Sequence, residues 1–214
     1  MKDTKRILCY GDSNTWGYIS GTGERYPTFV RWTGVLSQEL GDTFQVVEAG
    51  LNGRTTVFDD SVALGRNGFR YLHVTMASAA PLDAMIIWLG TNDCKARFAA
   101  TSMNISRGYQ RLIQQASDPW YWRDGKVNII IPLPIELTTA YLETTAYFEI
   151  GDGAIERSVG LIRRLPEDLA IYDHVSLIDL SKEAETDPLD GIHLTAAGHE
   201  KVGLRLAEYM KNRI

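Results

Sequence analysis

Five short apolar runs are spaced along the chain, and their pattern predicts buried strands. They are rich in Ile, Val and Leu, and most are apolar at consecutive positions rather than at alternate ones. Strands that are covered on both faces have this pattern. The five predicted strands are RILCYG (6–11), FQVVEAG (44–50), AMIIWLG (84–90), KVNIIIP (126–132) and HVSLIDL (174–180).

Four stretches with helical spacing of apolar residues lie between or after these strands. They are 28–40, 104–116, 154–170, which Pro166 interrupts, and 195–213. Strands that alternate with helices predict an α/β fold, with a five-stranded parallel sheet covered by helices on both faces. Right-handed crossovers then place the carboxyl ends of all five strands along one edge, where such folds bind ligands.

The length and the connections between elements predict a single domain. A chain of 214 residues is long enough for one full core and short for two. It has no linker rich in Pro, Gly or Ser, no low-complexity tract and no internal repeat. We therefore expect one domain over residues 1–214, in which the least regular segment, 133–153, forms a loop or lid.

Composition and charge narrow the class of protein and its partners. The chain is 44% hydrophobic and 23% charged, which is typical of a water-soluble globular protein. Its net charge is -5 and it has no dense basic run, so neither nucleic acid nor a membrane is an expected partner. No apolar stretch is long enough for a signal peptide or a membrane span. Cys9 and Cys94 are far apart and form no CxxC pattern, which disfavours a disulfide or a zinc site and favours a cytoplasmic location.

Polar residues with potential for acyl transfer follow four of the predicted strands. The segments are GDSNT (11–15), GLNGRT (50–55), GTND (90–93) and, about ten residues after the fifth strand, DGIH (190–193). Because the carboxyl ends of parallel strands meet at one edge of the sheet, these segments are predicted to share one crevice.

The first and last of these segments contain the groups that ester hydrolysis needs. The hydroxyl of Ser13 is a weak nucleophile until a base accepts its proton. Of the four histidines, only His193 has a carboxylate, that of Asp190, three residues earlier in a turn that contains Gly. Such a turn can bring the carboxylate to one ring nitrogen and leave the other facing Ser13. Thr195 is suited to cap the last helix and hold this turn in place.

The remaining segments offer hydrogen-bond donors for the oxyanion of a tetrahedral intermediate. The backbone N–H groups of Ser13 and Gly53 and the side-chain amide of Asn92 lie at the right strand ends. Each residue has a structural alternative when taken alone: Ser13 as a helix cap, Gly53 as a residue with positive φ, and Asn92 as part of an Asx turn. We favour the functional interpretation, because the predicted fold brings all of these residues to a single crevice.

The four segments resemble the four sequence blocks of the SGNH/GDSL hydrolase superfamily. Their order and spacing fit, and the resemblance spans residues 6 to about 205. The likeness is closer to bacterial arylesterases and acyltransferases of that superfamily, through KRILCYGDSNTWG, VRWTGVL, EAGLNGRTT, PLDAMIIWLGTNDCK and DGIHLT.

The resemblance implies a fold and a set of roles. The fold is a three-layer α/β/α sandwich similar to flavodoxin. Ser13 is the nucleophile, His193 the general base and then acid, and Asp190 the residue that orients the imidazole. Ser13, Gly53 and Asn92 form the oxyanion hole. The resemblance implies no metal and no organic cofactor. It does imply that the protein forms a homo-oligomer.

The implied activity is that of a serine esterase that hydrolyses short-chain acyl esters through a Ser13 acyl-enzyme, with acyl transfer to alcohols. The small ester is then the only small-molecule partner. Alternatives with the same machinery are a carbohydrate acetylesterase, a lysophospholipase and a thioesterase. A sugar- or lipid-binding relative without activity is disfavoured because every catalytic position is intact.

Two residues beside the nucleophile are predicted to contact substrate. The more familiar family wording is GDSLT, whereas this chain has Asn14, which would make the rim of the site more polar. Trp16 matches a Trp in the closer relatives and is expected to form a wall of the pocket. Asp12 and Asp93 also match the blocks, but we expect them to accept backbone hydrogen bonds.

Overall fold

The computed structural model describes residues 4–213, and its centre is a sheet of five parallel strands. The strands are β1 (Lys5–Gly11), β2 (Phe44–Gly50), β3 (Ala84–Trp88), β4 (Ile129–Pro132) and β5 (Val175–Ile178). Their order in the sheet is β2-β1-β3-β4-β5, and every neighbouring pair is parallel. This is the strand order of flavodoxin, so the predicted strands and the predicted sheet are confirmed.

The helices occupy the connections between strands and the end of the chain. The α-helices are α1 (Ser13–Trp16), α2 (Trp32–Leu40), α3 (Gly68–Ala79), α4 (Ser102–Ala116), α5 (Tyr147–Ile150), α6 (Ala154–Asp168) and α7 (Ala196–Lys211). The 3₁₀ helices are Gly41–Thr43, Asn92–Cys94, Ala96–Phe98, Pro119–Tyr121, Arg123–Gly125 and Thr139–Glu143.

The core lies in two layers, one on each face of the sheet. Along β1, Ile7 and Cys9 point to one face and Leu8 and Tyr10 to the other, and all four are fully buried. One layer is completed by apolar residues of α2 and α7 and the other by those of α3, α4 and α6. This is the predicted three-layer α/β/α sandwich. The consecutive apolar runs follow from it, because both faces of each central strand must be apolar.

Helix α3 is absent from the elements that the sequence predicts. It buries Leu72 and Met76, but Tyr71 and Val74 on the opposite side are exposed. Because apolar residues lie on both sides of the helix, the sequence lacks the single apolar face by which a surface helix is identified. Its start is marked by Asn67, whose side chain accepts a hydrogen bond from the backbone N–H of Arg70 at 3.2 Å.

Two predicted helices differ from the observed ones at their ends. The helix predicted from residue 28 begins at Trp32, because the residues after Pro27 form turns closed by the hydrogen bond from Val30 N to the Pro27 carbonyl. The predicted interruption of α6 at Pro166 is not found. Pro166 lies in the last turn of the helix, which ends at Asp168. Pro166 removes one backbone hydrogen bond, that to the carbonyl of Ile162, and only two residues of the helix follow it.

The ends of β1 and β2 are shaped to let α1 lie directly against them. A Cβ on Gly11 would come within 2.0 Å of Thr15 Oγ1, and one on Gly50 within 2.2 Å of the backbone nitrogen of Trp16. Only glycine fits at these two positions. Ser13 therefore leaves the sheet at the β1–β3 switch point, where the strand order reverses and such folds bind ligands.

His199 of α7 is a buried histidine that affects the stability of this fold. Its ring packs edge-on against Tyr26, and its Nδ1 accepts a hydrogen bond from the backbone N–H of Trp32 at 3.3 Å. Burial, together with the nearby charges of Arg31 and His193, lowers its pKa to about 3. The ring is therefore neutral in the folded protein at neutral pH.

We expect His199→Asn to reduce the sensitivity of the fold to acid. An unfolded histidine has a pKa of about 6.5. Between that pH and about 3, the unfolded chain binds a proton that the folded chain does not, so stability is lost as the pH falls. Asn keeps an acceptor and cannot titrate. Between pH 7 and 4.5 the wild-type free energy of unfolding should fall by about 2–3 kcal/mol more than that of the variant. Urea denaturation at both pH values measures this, and parallel losses in the two proteins would contradict it.

Candidate active site

Ser13 is the first residue of α1, and the cap of that helix fixes its position. The carboxylate of Asp12 accepts a hydrogen bond from the backbone N–H of Asn14 at 3.0 Å. The Ser13 side chain then lies beside the loop that precedes α7, with Oγ 2.9 Å from Nε2 of His193. A hydroxyl and an imidazole at this distance can exchange a proton.

The loop before α7 holds His193 through Asp190. Asp190 Oδ2 lies 2.7 Å from His193 Nδ1, and its Oδ1 accepts the backbone N–H groups of Ile192 and His193, each at 2.9 Å. The loop is closed by Thr195, whose hydroxyl accepts the N–H of Gly198 and caps α7, as predicted. The structure thus brings Ser13, His193 and Asp190 into one hydrogen-bonded row.

The environment of Asp190 keeps it ionised. Its partial burial opposes ionisation, but the hydrogen bonds and charge of His193 and the backbone N–H of Ile192 outweigh this, so the pKa of Asp190 lies below its ordinary value. A carboxylate at Nδ1 favours the tautomer in which Nδ1 carries the proton. Nε2 is then free to accept the proton of Ser13.

The residues predicted to donate to the oxyanion line the same cavity as His193. Gly53 follows β2 with a φ of 76°, which a residue with a side chain rarely adopts. Asn92 follows β3, and its amide nitrogen donates to the carbonyl of Arg54 at 3.2 Å. Within residues 4–213, the backbone N–H groups of Ser13 and Gly53 donate to no protein acceptor. Together with the amide of Asn92, they line the cavity in front of Ser13.

The two other aspartates of these segments are buried beneath the site. The Asp93 carboxylate accepts the backbone N–H of Thr56 at 2.9 Å, and that of Asp12 caps α1. Burial raises the pKa of each to about 6, although their hydrogen bonds oppose this shift. Both positions agree with the predicted role as acceptors of backbone hydrogen bonds.

The structure does not bring Asn14 into the cavity, contrary to the predicted contact with substrate. Its side chain is buried under the histidine loop, where its amide donates to the carbonyl of Ile192 at 3.2 Å and accepts the N–H of Leu194 at 2.9 Å. Both ends of the amide are used, and they bind the chain on either side of His193. Asn14 therefore holds the loop that carries His193.

Trp16 also lies outside the lining of the cavity, so the predicted pocket wall is not formed by it. Its half-buried ring lies under the guanidinium of Arg25, whose carbon is 5.2 Å from the ring centre. The aromatic residue at the site is instead Tyr18, two positions along the chain. Its ring centre is 4.3 Å from that of His193.

The cavity at the site has a volume of about 480 Å³. Its other lining residues include Tyr18 and Lys95 and, from the segment 133–153, Ala146, Glu149 and Ile150. The sequence does not assign these five residues to the site. Of these residues, Lys95 has the clearest sequence signal, since it lies two positions after the GTND segment (90–93).

Two further observations concern other classes of protein. In the described part of the chain, no three His, Cys, Asp or Glu side chains are grouped so that they could hold a metal ion. None of the helices between residues 4 and 213 has the length and apolar character that a membrane span needs.

Comparisons with known proteins agree on one class, that of hydrolases acting on esters. Residues 9–201 match the GDSL-like lipase/acylhydrolase family. Among solved structures, the aryl esterase of M. smegmatis is 34% identical with a TM-score of 0.89, covering 99% of this chain and 100% of that one. A carbohydrate acetylesterase from Sinorhizobium meliloti is 30% identical with a TM-score of 0.90, covering 99% and 100%. A lipase/acylhydrolase from Enterococcus faecalis, 18% identical over 98% and 97% with a TM-score of 0.70, shares the fold.

The fold and these matches define a hydrolase that acts on esters. More particularly, the chain belongs to the GDSL-like lipase/acylhydrolase family, in its SGNH form. No curated protein matched the chain.

Proposed function

We propose that the protein is a serine esterase of short-chain acyl esters, in which Ser13, His193 and Asp190 form the catalytic triad. The observation that carries the proposal is the 2.9 Å contact between Ser13 Oγ and His193 Nε2, at a cavity that is lined by N–H donors. Ser117 also lies close to a histidine, with Oγ 2.8 Å from His174 Nε2, but this pair lies outside the cavity.

The mechanism follows from the geometry. His193 accepts the Ser13 proton while Oγ attacks the ester carbonyl, and the oxygen that becomes negative is stabilised by the N–H groups of Ser13, Gly53 and Asn92. His193 then gives its proton to the leaving alcohol, and the acyl group stays on Ser13. Water, or a second alcohol, reverses these steps and releases an acid or a new ester.

The volume of the cavity supports the proposal that the substrates are small. A volume of about 480 Å³ is at the low end for sites of drug-sized ligands. The aryl esterase of M. smegmatis, at 34% identity, supports esters of aromatic alcohols as the first class to test.

A carbohydrate acetylesterase is the second candidate. The lining includes Thr22, Asn52 and Thr91, and Asn52 Oδ1 is buried with no hydrogen-bond partner in the described residues. Hydroxyl and amide side chains that line a cavity can hydrogen-bond a sugar. The relative from Sinorhizobium meliloti is described as a carbohydrate acetylesterase.

An ester panel tests both candidates. We expect 4-nitrophenyl acetate and phenyl acetate to be hydrolysed, with kcat/KM falling by roughly tenfold or more from acetyl to octanoyl, because long acyl chains exceed the cavity. Acetylated xylose in the same panel tests the second candidate. Repeating the panel with added ethanol, and quantifying acid and ethyl ester, measures acyl transfer. Activity that rises with acyl length would contradict the proposal and favour a lipase.

A further inference from the structure

Lys95 is a buried cation in the cavity that the proposed mechanism does not use. It directly follows the 3₁₀ helix Asn92–Cys94 and lines the same cavity as Ser13 and Asn92. Its side chain is only 11% exposed, and the carboxylate nearest to Nζ is that of Glu149, with Oε2 at 3.9 Å. This separation exceeds a hydrogen bond. Within residues 4–213, no acceptor makes a hydrogen bond with Nζ.

The carboxylates around Lys95 are held more closely by its neighbour Arg97. Arg97 contacts Asp60 at 3.0 Å and Glu149 at 3.1 Å. Glu149 lies on the short helix α5, and its side chain is 67% exposed. It is therefore a mostly solvated partner that already has a shorter contact, and it leaves the ammonium of Lys95 weakly neutralised.

The other acidic groups near the cavity are committed elsewhere. Asp190 is hydrogen-bonded to His193, and Asp12 caps α1 beneath the cavity floor. Burial and the charge of Arg97 lower the pKa of Lys95, as expected for an ammonium that lacks a close anion. A ligand with a negative charge would supply the missing partner, and a charge-assisted hydrogen bond in a partly dry site is stronger than a neutral one.

We propose that Lys95 recognises a carboxylate on the substrate, so that the enzyme prefers esters with an anionic group close to the scissile bond. This inference rests on the proposed esterase function. The carboxylate can belong to the acyl part, as in a half-ester of a dicarboxylic acid, or to the alcohol part, as in the acetate of a hydroxybenzoate. Glu149 competes with it for Lys95 in the free protein.

Two matched pairs of substrates test the proposal. On the acyl side, 4-nitrophenyl hydrogen succinate is compared with its neutral methyl ester. On the alcohol side, 4-acetoxybenzoate is compared with 4-acetoxybenzamide. The measured quantity is the specificity ratio, which is kcat/KM for the anionic ester divided by that for its neutral counterpart.

The variants separate the charge of Lys95 from its bulk. Lys95→Met should lower the ratio for one of the two pairs by roughly ten- to a hundredfold, and Lys95→Arg should retain most of it. Glu149→Gln should raise the ratio several-fold, because it removes the competing carboxylate, and this rise should vanish in the double variant with Lys95→Met. Lys126→Met, an exposed lysine before β4, is the control and should leave both ratios unchanged.

The outcomes distinguish this inference from the function on which it rests. If neither the neutral nor the anionic esters are hydrolysed, the proposed esterase function fails. If neutral esters are hydrolysed but both ratios are equal in wild type and Lys95→Met, the carboxylate preference is overturned. Should Lys95→Met not fold, Glu149→Gln decides the question, since it leaves Lys95 in place, and an unchanged ratio there overturns the inference.

Discussion

Replacing Ser13 with Ala should lower kcat for phenyl acetate by roughly 10⁴- to 10⁶-fold. The substitution removes the hydroxyl that lies 2.9 Å from His193 Nε2, so no acyl-enzyme can form. The remaining backbone N–H donors can assist attack by water only weakly. Circular dichroism and the thermal unfolding midpoint should be close to those of wild type, because the change removes one oxygen atom.

A second serine–histidine pair provides a matched control for this experiment. Ser117 Oγ lies 2.8 Å from His174 Nε2, and His174 Nδ1 lies 3.2 Å from a carboxylate oxygen of Asp173. This pair follows α4 at the opposite edge of the sheet and outside the cavity. Ser117→Ala should leave turnover within about twofold of wild type. Full activity in Ser13→Ala would show that Ser13 is not the nucleophile.

Replacing Asp190 with Asn should lower kcat by roughly 10⁴-fold while changing KM little. The two backbone N–H groups of Ile192 and His193 require an acceptor, so the new amide must turn its oxygen to them. Its NH₂ group then faces His193 Nδ1 and makes that nitrogen an acceptor. The ring proton moves to Nε2, which can no longer accept the proton of Ser13.

The measurement for Asp190→Asn is steady-state kinetics, together with NMR of the imidazole nitrogens to identify the tautomer. Asp173→Asn is the control, because Asp173 also lies beside a histidine but its side chain is fully exposed. That variant should retain wild-type kcat. A loss for Asp190→Asn that lies in KM alone would assign Asp190 to substrate binding instead of to the orientation of His193.

The parts of the fold that sequence predicts well are those with a strong and simple pattern. β1 and β3 are buried on both faces, so their residues are apolar at consecutive positions and the runs are easy to identify. Helix α3 is not predicted, because exposed apolar residues such as Val74 remove the contrast between its apolar and polar faces. The predicted interruption of α6 at Pro166 is wrong, because sequence alone does not show that this residue lies in the last turn, with only two helical residues after it.

Some residues of the candidate site could be predicted from the sequence, and others could not. Ser13, Asp190 and His193 could be predicted because their chemistry requires particular residue types and because the topology brings their segments to one edge. The predicted contacts of Asn14 and Trp16 with substrate depended instead on the direction of each side chain. On a helix of only four residues, that direction is fixed by packing against the histidine loop and Arg25, which a single sequence does not reveal.

The position of Asn14 has a consequence for how the enzyme is completed. Its amide joins residues near the beginning of the chain to Ile192 and Leu194 near the end. During synthesis, the first strand and its helix leave the ribosome long before their partners exist. Ser13 therefore has no contact with His193 until the last segment docks. Under the proposed mechanism, ester turnover therefore reports that the two ends of the chain have docked.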